Sequence, residues 1–296
     1  MLVRNVALPS WIIKGRLFQH SNWIIVEVME SRTFKKKIWS FYRSRGRDLP
    51  WRRTQNPYRI LVSEIMLQQT QVERVKTFYE KFIKRFPNFA ALARAKRSEV
   101  LGVWQGLGYN RRALALHELA GIIMRKHGGK LPHERAALET LPGIGPYTAG
   151  AIRTFAFGEP EIFIETNIRR VFINFFFPNR KKVSDKEILP LIKKTLNHKD
   201  PRAWYFALMD YGAMIGATAK KKNPNRRSAH YARQSKFSGS DRELRGQILR
   251  LVLTKKEMKL DDLVAVIPQP RTRILRTATA LAKEGFFKSK TGAFSL

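Results

Sequence analysis

Two glutamates in this sequence have surroundings that would give their carboxyl groups opposite protonation states. Glu64 lies in a helical pattern in which Leu61 and Leu67 fall on its own face, so apolar neighbours should raise its pKa and let it hold a proton near neutral pH. Glu165 ends an apolar segment just before an expected helix start near Thr166, where the helix dipole and free N–H groups should keep it ionised. A proton donor beside an anionic carboxylate is the pair that cleavage of a glycosidic bond requires.

Each glutamate also has an ordinary interpretation when taken alone. Most helical glutamates are solvated, so Glu64 could lie at the edge of a core helix, and Glu165 could simply cap the helix that follows it. The chemical interpretation therefore depends on the pair. Breaking a base–sugar bond needs a proton on the leaving base and negative charge near an oxocarbenium-like sugar.

Residues 141–150 (LPGIGPYTAG) join two helical stretches through a turn in which Gly143 and Gly145 flank the apolar Ile144. Glycine permits a tight turn and a close approach of backbone N–H groups to an anion. Ile144 should point inward, while the N–H groups of the turn and of the helix that opens near Tyr147 should form an anion site. Such a site positions a duplex by its phosphates and reads no sequence. The alternative is an ordinary turn between two helices.

The charge balance favours a polyanionic partner. Lys and Arg number 57 against 23 Asp and Glu, a formal net charge of +34, which points first to nucleic acid, although charge alone does not separate DNA from RNA, the ribosome or an anionic membrane. The absence of cysteine excludes disulfides, thiolate zinc sites, cysteine-ligated iron–sulfur clusters and a cysteine nucleophile. No apolar run approaches the roughly 18 residues of a spanning helix or forms a signal-peptide core, so we expect a cytoplasmic, nucleoid-associated protein, or a nuclear one in a eukaryote.

Most of the chain has the apolar spacing of amphipathic helices, as in 60–86, 98–105, 111–127 and 185–196. A boundary is expected near 220–240, where a basic run precedes a Gly/Ser linker. Ser240 and Glu243 then form a capping box, and helices are expected over 260–267 and 271–284 before a terminal strand pair around Thr291. Three helices followed by a small hairpin are typical of a winged-helix domain.

The third of these C-terminal helices carries several basic residues, which are Arg271, Arg273, Arg276 and Lys283. This pattern is expected of a helix that contacts DNA. The alternative is a small helical cap with a solvated basic face.

Six strings, in one order over residues 34–217, together resemble the A/G-specific adenine DNA glycosylases of the MutY type, within the helix-hairpin-helix (HhH-GPD) and endonuclease III superfamily. They are LPWR at 49–52, SEIMLQQTQV at 63–72, GLGY at 106–109, LPGIGPYTAG at 141–150, NIRRV at 167–171 and MDYGAM at 209–214. The second string is the most specific of the six.

The resemblance implies an all-α, two-lobed fold with the active site in the cleft between the lobes. A six-helix barrel lobe that includes the hairpin would span 58–160, and a discontinuous helical lobe would combine 33–57 with 161–236. Residues 238–296 would form the small winged-helix-like domain. Residues 1–32 would be an extension of unknown role, or would partly precede a true start at Met29.

The resemblance also assigns roles to matching positions. Glu64 would protonate the adenine leaving group, and Glu165 would take the place of the family's catalytic aspartate, oriented by Asn167. The target nucleotide would be flipped out of the duplex, and Tyr109 would wedge into the stack at the partner base. The expected DNA contacts are Leu67, Gln68 and Tyr109 at the opened base pair and Gly143, Ile144, Gly145 and Thr148 in the hairpin.

Tyr147 narrows the expected chemistry. Relatives that resemble endonuclease III carry a lysine at this hairpin position, and that lysine attacks the sugar and gives a lyase activity. Tyrosine cannot form a Schiff base. We therefore expect a glycosylase without AP-lyase activity.

Three departures from the family pattern matter. The stretch that usually supplies four cysteines for an iron–sulfur cluster has none here, so no cofactor is expected, although the hairpin carbonyls of relatives can hold a monovalent cation. The basic residues Lys220, Lys221, Lys222, Arg226 and Arg227 would take over the DNA contact of that cluster loop. Glu165 is longer than aspartate by one methylene, and the C-terminal domain is shorter than the one that recognises 8-oxoguanine.

The sequence thus predicts a monomeric, monofunctional glycosylase for adenine mispaired with G or 8-oxoguanine in double-stranded DNA, acting in base excision repair. Two alternatives remain open from the sequence. One is a thymine or uracil mismatch glycosylase of the same fold, and the other is a non-catalytic binder of DNA structure.

Overall fold

The computed structural model of the protein describes residues 20–219, 222–232 and 236–296. Its α-helices are α1 (His20–Arg45), α2 (Pro57–Leu67), α3 (Val72–Arg85), α4 (Phe89–Arg94), α5 (Arg97–Trp104), α6 (Arg111–Lys126), α7 (Arg135–Glu139), α8 (Pro146–Phe157), α9 (Thr166–Phe176), α10 (Asp185–Thr195), α11 (Pro201–Thr218), α12 (Asp241–Lys255), α13 (Leu260–Val266) and α14 (Arg271–Lys283). Short 3-10 turns occupy Pro50–Arg52 and Pro224–Arg227. The predicted mostly helical fold is confirmed.

Local sequence fixes where the helices near the candidate site begin and end. Asn56 caps α2 by accepting a hydrogen bond from the Arg59 N–H at 3.1 Å, and Pro57 occupies the first helical position, where no donor is needed. Pro146 opens α8 in the same way, and Gly158, with a φ of 78°, ends it in the left-handed conformation that favours glycine. These caps set the ends of two helices that carry candidate site residues.

The buried apolar residues fall into two clusters. The first cluster contains side chains from 49–152 together with side chains from 244–294. The second cluster contains Phe34, Ile38 and Ile60 and side chains from 151–215. Leu49 and Trp51 pack in the first cluster, although the expected division assigned them to the discontinuous lobe. The exact domain boundaries therefore stay a prediction.

Helix α1 crosses the boundary that the sequence suggested at residue 32. It begins at His20 and continues without a break to Arg45. Its later turns bury Phe34 and Ile38 in the second cluster. Residues 1–19 lie outside the described residues, so the role of the extension stays a prediction. In the part of the chain that the structure describes, no helix has both the length and the hydropathy to cross a bilayer.

The C-terminal region has the element order helix, strand, helix, helix, strand, strand. Strands β1 (Glu257–Lys259), β2 (Lys288–Lys290) and β3 (Ala293–Ser295) form an antiparallel sheet in the order β1-β3-β2. Phe294 at the centre of β3 faces Met258 on one side and Ser289 on the other. The winged-helix pattern is confirmed, and β1 is the strand that the sequence missed, because no turn residue beside it marks a strand pair as Thr291 and Gly292 do for β2 and β3.

An ion-pair cluster fixes this winged-helix-like domain to the barrel lobe. The Glu284 carboxylate accepts hydrogen bonds from Arg111 Nε at 2.7 Å, at the start of α6, and from Arg245 Nη1 at 3.0 Å on α12. The hydrogen bond from Arg111 is the main reason that the pKa of Glu284 falls to about 2. Phe286 and Phe287 join the first cluster beside it. The domain is therefore packed on the lobe, with which it shares a core.

A buried aspartate links the residues before α2 to helix α11. Asp210 is 2% exposed and accepts from Arg47 Nε at 2.6 Å and from both Arg52 terminal nitrogens at 2.8 Å. Burial alone would raise the pKa of Asp210, but these hydrogen bonds outweigh it and hold the pKa below its usual range. The strings at 49–52 and 209–214 thus meet in one ion-pair network.

Helices α9 and α11 approach closely because α11 has glycine at two positions one turn apart. A Cβ at Gly212 would lie 2.3 Å from the Asn167 carbonyl oxygen, and one at Gly216 would lie 2.6 Å from Arg170 Nη1. The first clash is with backbone, which cannot rotate away. The contact between these helices therefore requires glycine at 212.

We expect Gly212→Ala to lower the free energy of unfolding by about 1–3 kcal/mol, because the added methyl must push α9 and α11 apart. The matched control is Gly102→Ala on α5, where a new Cβ meets nothing within 4 Å. That change should stabilise the protein by up to about 1 kcal/mol, through helix propensity. Urea unfolding measures both, and equal midpoints would contradict the close approach.

Candidate active site

Glu64 is buried near the end of helix α2. The residue is 5% exposed, so the solvated alternative is wrong. Burial raises the pKa of the Glu64 carboxyl to about 7, and the nearby charge of Glu165 adds to the rise. Near neutral pH this carboxyl therefore holds a proton for a substantial fraction of the time.

Tyr147 supplies the hydrogen bond that this carboxyl accepts. Its Oη donates to Glu64 Oε2 at 3.2 Å from the first turn of α8, and its ring lies edge-on to Phe163 with the centroids 5.7 Å apart. Burial raises the pKa of Tyr147 well above its ordinary value, so the phenol stays neutral and remains a donor. The sequence indicated that Tyr147 cannot form a Schiff base, and the structure shows that it donates a hydrogen bond to Glu64.

Glu165 is the N-cap of α9. Its Oε1 accepts from the backbone N–H groups of Asn167 at 2.7 Å and Ile168 at 2.8 Å, and its Oε2 accepts from Asn167 Nδ2 at 3.3 Å. The N–H bonds lower the pKa of Glu165, as its place at a helix terminus suggested, but burial raises it by more, so the net shift is upward. That the carboxyl stays ionised remains a prediction.

Arg170 orients the Asn167 side chain. Its Nη1 donates to Asn167 Oδ1 at 2.7 Å and to the Gly212 carbonyl at 2.6 Å. Because the amide oxygen is taken by the guanidinium, the Asn167 amide nitrogen faces Glu165. Sequence reasoning missed Arg170 in this role, since its partners lie on another helix and at an amide three residues away.

The segment that follows α11 packs against the start of α9. Asn225 Nδ2 donates to the Thr166 carbonyl at 3.0 Å, and Asn223 Oδ1 accepts from Arg170 Nε at 3.2 Å. This is the stretch in which the family usually has cluster-binding cysteines. Here asparagine side chains support the helix that Glu165 caps.

The predicted basic contacts of this segment divide into three groups. Lys220 and Lys221 lie outside the described residues, and Lys222 and Arg226 are exposed. Arg227 donates to the carbonyls of Phe177, Pro178 and Ile173, the last at 3.3 Å, and so binds the end of α9. These bonds give Arg227 a structural role at the end of α9, and its contact with DNA stays a prediction.

The hairpin has the predicted tight turn. Gly143 has a φ of 80°, Ile144 is 6% exposed, and Gly145 is the N-cap of α8, whose first N–H groups have no acceptor within the helix. The Ile144 N–H donates to the Leu141 carbonyl at 3.1 Å, so it does not face an external anion, contrary to the prediction that all turn N–H groups do. The Ile144 N–H is therefore excluded from the predicted anion site, to which the first turn of α8 can still contribute N–H groups.

Gln68 joins the end of α2 to this hairpin. Its Nε2 donates to the Gly143 carbonyl and to Thr148 Oγ1, both at 3.2 Å. Thr148 is 3% exposed, so its side chain is part of this internal contact, and Leu67 is half-buried against the first cluster. Gln68 thus connects the helix of Glu64 with the helix of Tyr147.

Arg112 holds the C-terminal end of α2 and was missed by sequence reasoning. Its Nη1 donates to the carbonyls of Ile65 and Met66 at 2.8 Å and of Gln68 at 2.5 Å. Its Nη2 reaches the Gly108 carbonyl at 2.9 Å. These acceptors are backbone groups that leave no side-chain signature, so no pattern could have indicated this role.

Tyr109 lies in the loop between α5 and α6, with a φ of 50° in the left-handed region. Its ring centroid is 5.3 Å from the Arg112 guanidinium carbon, and its Oη accepts from Arg242 Nη1 at 3.1 Å. Arg242 belongs to α12 of the winged-helix-like domain. The predicted wedge residue is therefore contacted by that domain.

Comparison with known proteins places the chain in a family. The model of the HhH-GPD superfamily of base excision DNA repair proteins matches residues 62–197, which include Glu64, Tyr147, Glu165 and Asn167. An adenine DNA glycosylase of Mycolicibacterium smegmatis is 36% identical over 230 residues, which cover 72% of this chain and 78% of that protein. The chain belongs to the HhH-GPD superfamily.

Two further comparisons indicate the range of this superfamily. An adenine DNA glycosylase of Buchnera aphidicola is 40% identical over 201 residues, which cover 66% of this chain but only 56% of that protein. The solved structure of a thermostable thymine-DNA glycosylase superposes with a TM-score of 0.57 at 29% identity and covers 69% of this chain and 97% of that one. The resemblance inferred from the six strings is thereby confirmed.

The residues present do not fit an iron–sulfur cluster, because its cysteine ligands are absent from the whole sequence. Among residues 20–219, 222–232 and 236–296, no group of three or more His, Asp or Glu side chains could hold a metal ion. That the protein needs no cofactor, and that a monovalent cation can bind the hairpin, stay predictions.

Tyr147→Phe should raise the pKa of Glu64 above about 7, because the hydrogen bond from Tyr147 favours the ionised carboxyl and so lowers that pKa. An infrared titration of the protonated carboxyl stretch, with Glu64→Gln as the subtraction reference, measures it. The exposed Tyr231→Phe is the matched control and should leave the titration unchanged. A pKa that is unchanged or lower in Tyr147→Phe would contradict the contact.

Proposed function

We propose that this protein is a monofunctional DNA glycosylase that hydrolyses the N-glycosidic bond of adenine mispaired with G or 8-oxoguanine. The observation that carries the proposal is the buried Glu64 carboxyl, whose pKa is about 7. It accepts a hydrogen bond from Tyr147 and lies close enough to Glu165 for that charge to raise its pKa. Adenine is preferred because relatives of that name match at 36% and 40% identity. DNA is the proposed partner, and a monomer the proposed state.

The chemistry divides between the two carboxyl groups. Protonated Glu64 donates its proton to a ring nitrogen of the leaving base, which departs with the electron pair of the glycosidic bond. Ionised Glu165, held by the Asn167 and Ile168 N–H groups, stabilises the positive charge that develops on the sugar. Water then adds to the anomeric carbon, and Glu64, now a carboxylate, accepts the proton that the water loses.

The product should be an intact strand with an abasic site. A lyase of this fold needs an amine that attacks the sugar. The hairpin position holds Tyr147 instead, and its phenol is hydrogen-bonded to Glu64. Strand cleavage should therefore require added alkali.

The duplex would be gripped by the N-terminus of α8, where backbone N–H groups and the helix dipole favour a phosphate. The net charge of +34 supports a contact with a polyanion. Lys222 and Arg226 are exposed and remain proposed phosphate contacts.

A thymine or uracil mismatch glycosylase is the second candidate. The thymine-DNA glycosylase structure favours it, since almost its whole length superposes on this chain. The two candidates share the bond broken and differ in the base. A substrate comparison therefore separates them.

The substrate test uses duplexes with A opposite 8-oxoguanine, A opposite G, T opposite G and U opposite G, followed by alkali. We expect cleavage only at the adenine duplexes, and only after alkali. Cleavage confined to the T or U duplexes would support a thymine or uracil glycosylase instead of an adenine glycosylase. Binding to all duplexes without any excision would contradict a glycosylase of either kind.

Glu64→Gln should lower excision by at least about a hundredfold, because an amide cannot supply the proton, while affinity for the duplex stays within about twofold. The matched control is Glu73→Gln on α3, whose side chain is 80% exposed. Single-turnover excision and fluorescence anisotropy measure the two quantities. An active Glu64→Gln protein would remove the proposed mechanism.

Tyr109→Phe and Arg242→Ala should each slow base flipping by about fivefold, because each removes the same hydrogen bond, worth about 1 kcal/mol. The double variant should be no slower than either single one. Fluorescence of 2-aminopurine at the target position reports flipping, and Arg250→Ala, exposed on the same helix, is the control. Additive losses would show that Arg242 does not act through Tyr109.

A further inference from the structure

A basic groove lies where the winged-helix-like domain meets the barrel lobe, away from Glu64. Lys96 and Arg97 line it from the start of α5, and Lys283, Lys288 and Lys290 line it from the end of α14 and from β2. The cavity is about 1030 Å³. Each domain supplies part of it, so the groove exists only because the two are packed together.

The positive charge of this basic groove is not neutralised. Among the described residues, none of these five side chains forms an ion pair, and no Asp or Glu lines the cavity. Of the acidic residues nearest in sequence, Glu284 binds Arg111 and Arg245, whereas Glu99 binds Arg85 and also accepts the Lys96 backbone N–H at 3.0 Å. Lys96 therefore has an acidic neighbour, and the other four groove residues have none of these partners. Five like charges around one cavity repel each other, and an anion that entered would relieve the repulsion.

Two of the arginines that the sequence assigned to DNA contact on α14 have partners within the domain. Arg271 is paired with Asp261, and Arg273 is paired with Asp241 at 2.8 Å and hydrogen-bonded to Gln269 Oε1 at 2.5 Å. Arg276 is exposed and forms no ion pair with the described residues, so its DNA contact stays a prediction. The largest group of unpaired positive charges on this helix and its neighbours lies at the other end of α14, in the basic groove.

The basic groove also offers hydrogen-bond donors on rigid elements. Ser98, Thr279 and Ser289 line it with hydroxyl groups, beside the apolar Phe286 and Phe287, which belong to the first cluster. The pairing of Glu284 with Arg111 holds the walls together before any ligand arrives. Binding would therefore require little ordering of the protein.

We propose that the basic groove binds the phosphodiester backbone of duplex DNA at a stretch separate from the one held by the hairpin. Lysines and hydroxyls that line one cavity can bind phosphate oxygens, and such contacts form without regard to base sequence. The choice of DNA over another polyanion rests on the proposed function. The winged-helix-like domain would thus enlarge the DNA-binding surface of the repair fold.

The test replaces Lys283, Lys288 and Lys290 by glutamine in the full chain. The matched control replaces the exposed Lys186, Lys193 and Lys199 of the second lobe, with the same loss of charge. Anisotropy titrations with an undamaged 40-base-pair duplex at several salt concentrations give the slope of log K against log salt. Each phosphate contact contributes about 0.9 to this slope, so the groove variant should reduce it by about two to three and the control by less than one.

Equal slopes for the two triple variants would overturn the proposal, as would a groove variant that binds like wild type. Because the binding assay uses undamaged DNA, it stays informative even if the protein excises no base. Failure of the groove and failure of the proposed function are thereby distinguishable.

Discussion

Two carboxyl groups, one buried and one half-buried, lie within range of each other's charge, and the surrounding groups of the site provide the hydrogen bonds that this arrangement requires. A buried carboxylate without donors costs several kcal/mol, so each must accept hydrogen bonds from fixed groups. Glu64 on α2 accepts from Tyr147 on α8, and Glu165 accepts from the first N–H groups of α9. Three helices must therefore keep their relative positions for either carboxyl to be satisfied.

Half-buried guanidinium groups maintain those positions by binding backbone carbonyls. Arg112 closes the end of α2, Arg170 connects α9 to the Gly212 carbonyl, and Arg227 binds the end of α9. An arginine presents five donors in a fixed plane, so one side chain can satisfy several carbonyls and fix two elements together. In a chain with +34 net charge, part of the basic excess is therefore structural, and the rest is available to a polyanion.

The sequence was informative where a pattern is local. The apolar spacing predicted the helices, Ser240 predicted the start of α12, and the apolar neighbours of Glu64 predicted its burial. It was uninformative where partners are distant or are backbone atoms, as for Arg112 and Arg227. The sequence showed the helix terminus that lowers the pKa of Glu165 but not the burial that raises it, because burial depends on how α9 packs.

The raised pKa of Glu64 also ties folding to proton uptake. In the unfolded chain this carboxyl has its ordinary pKa of 4.5, and in the folded protein about 7, so the folded state binds the proton more tightly. The stabilisation has its full value of about 3 kcal/mol below about pH 4.5, and it decreases as the pH rises until little remains above pH 7. The group best placed to release a proton to a leaving base is thus one that makes the native state least stable in alkaline solution.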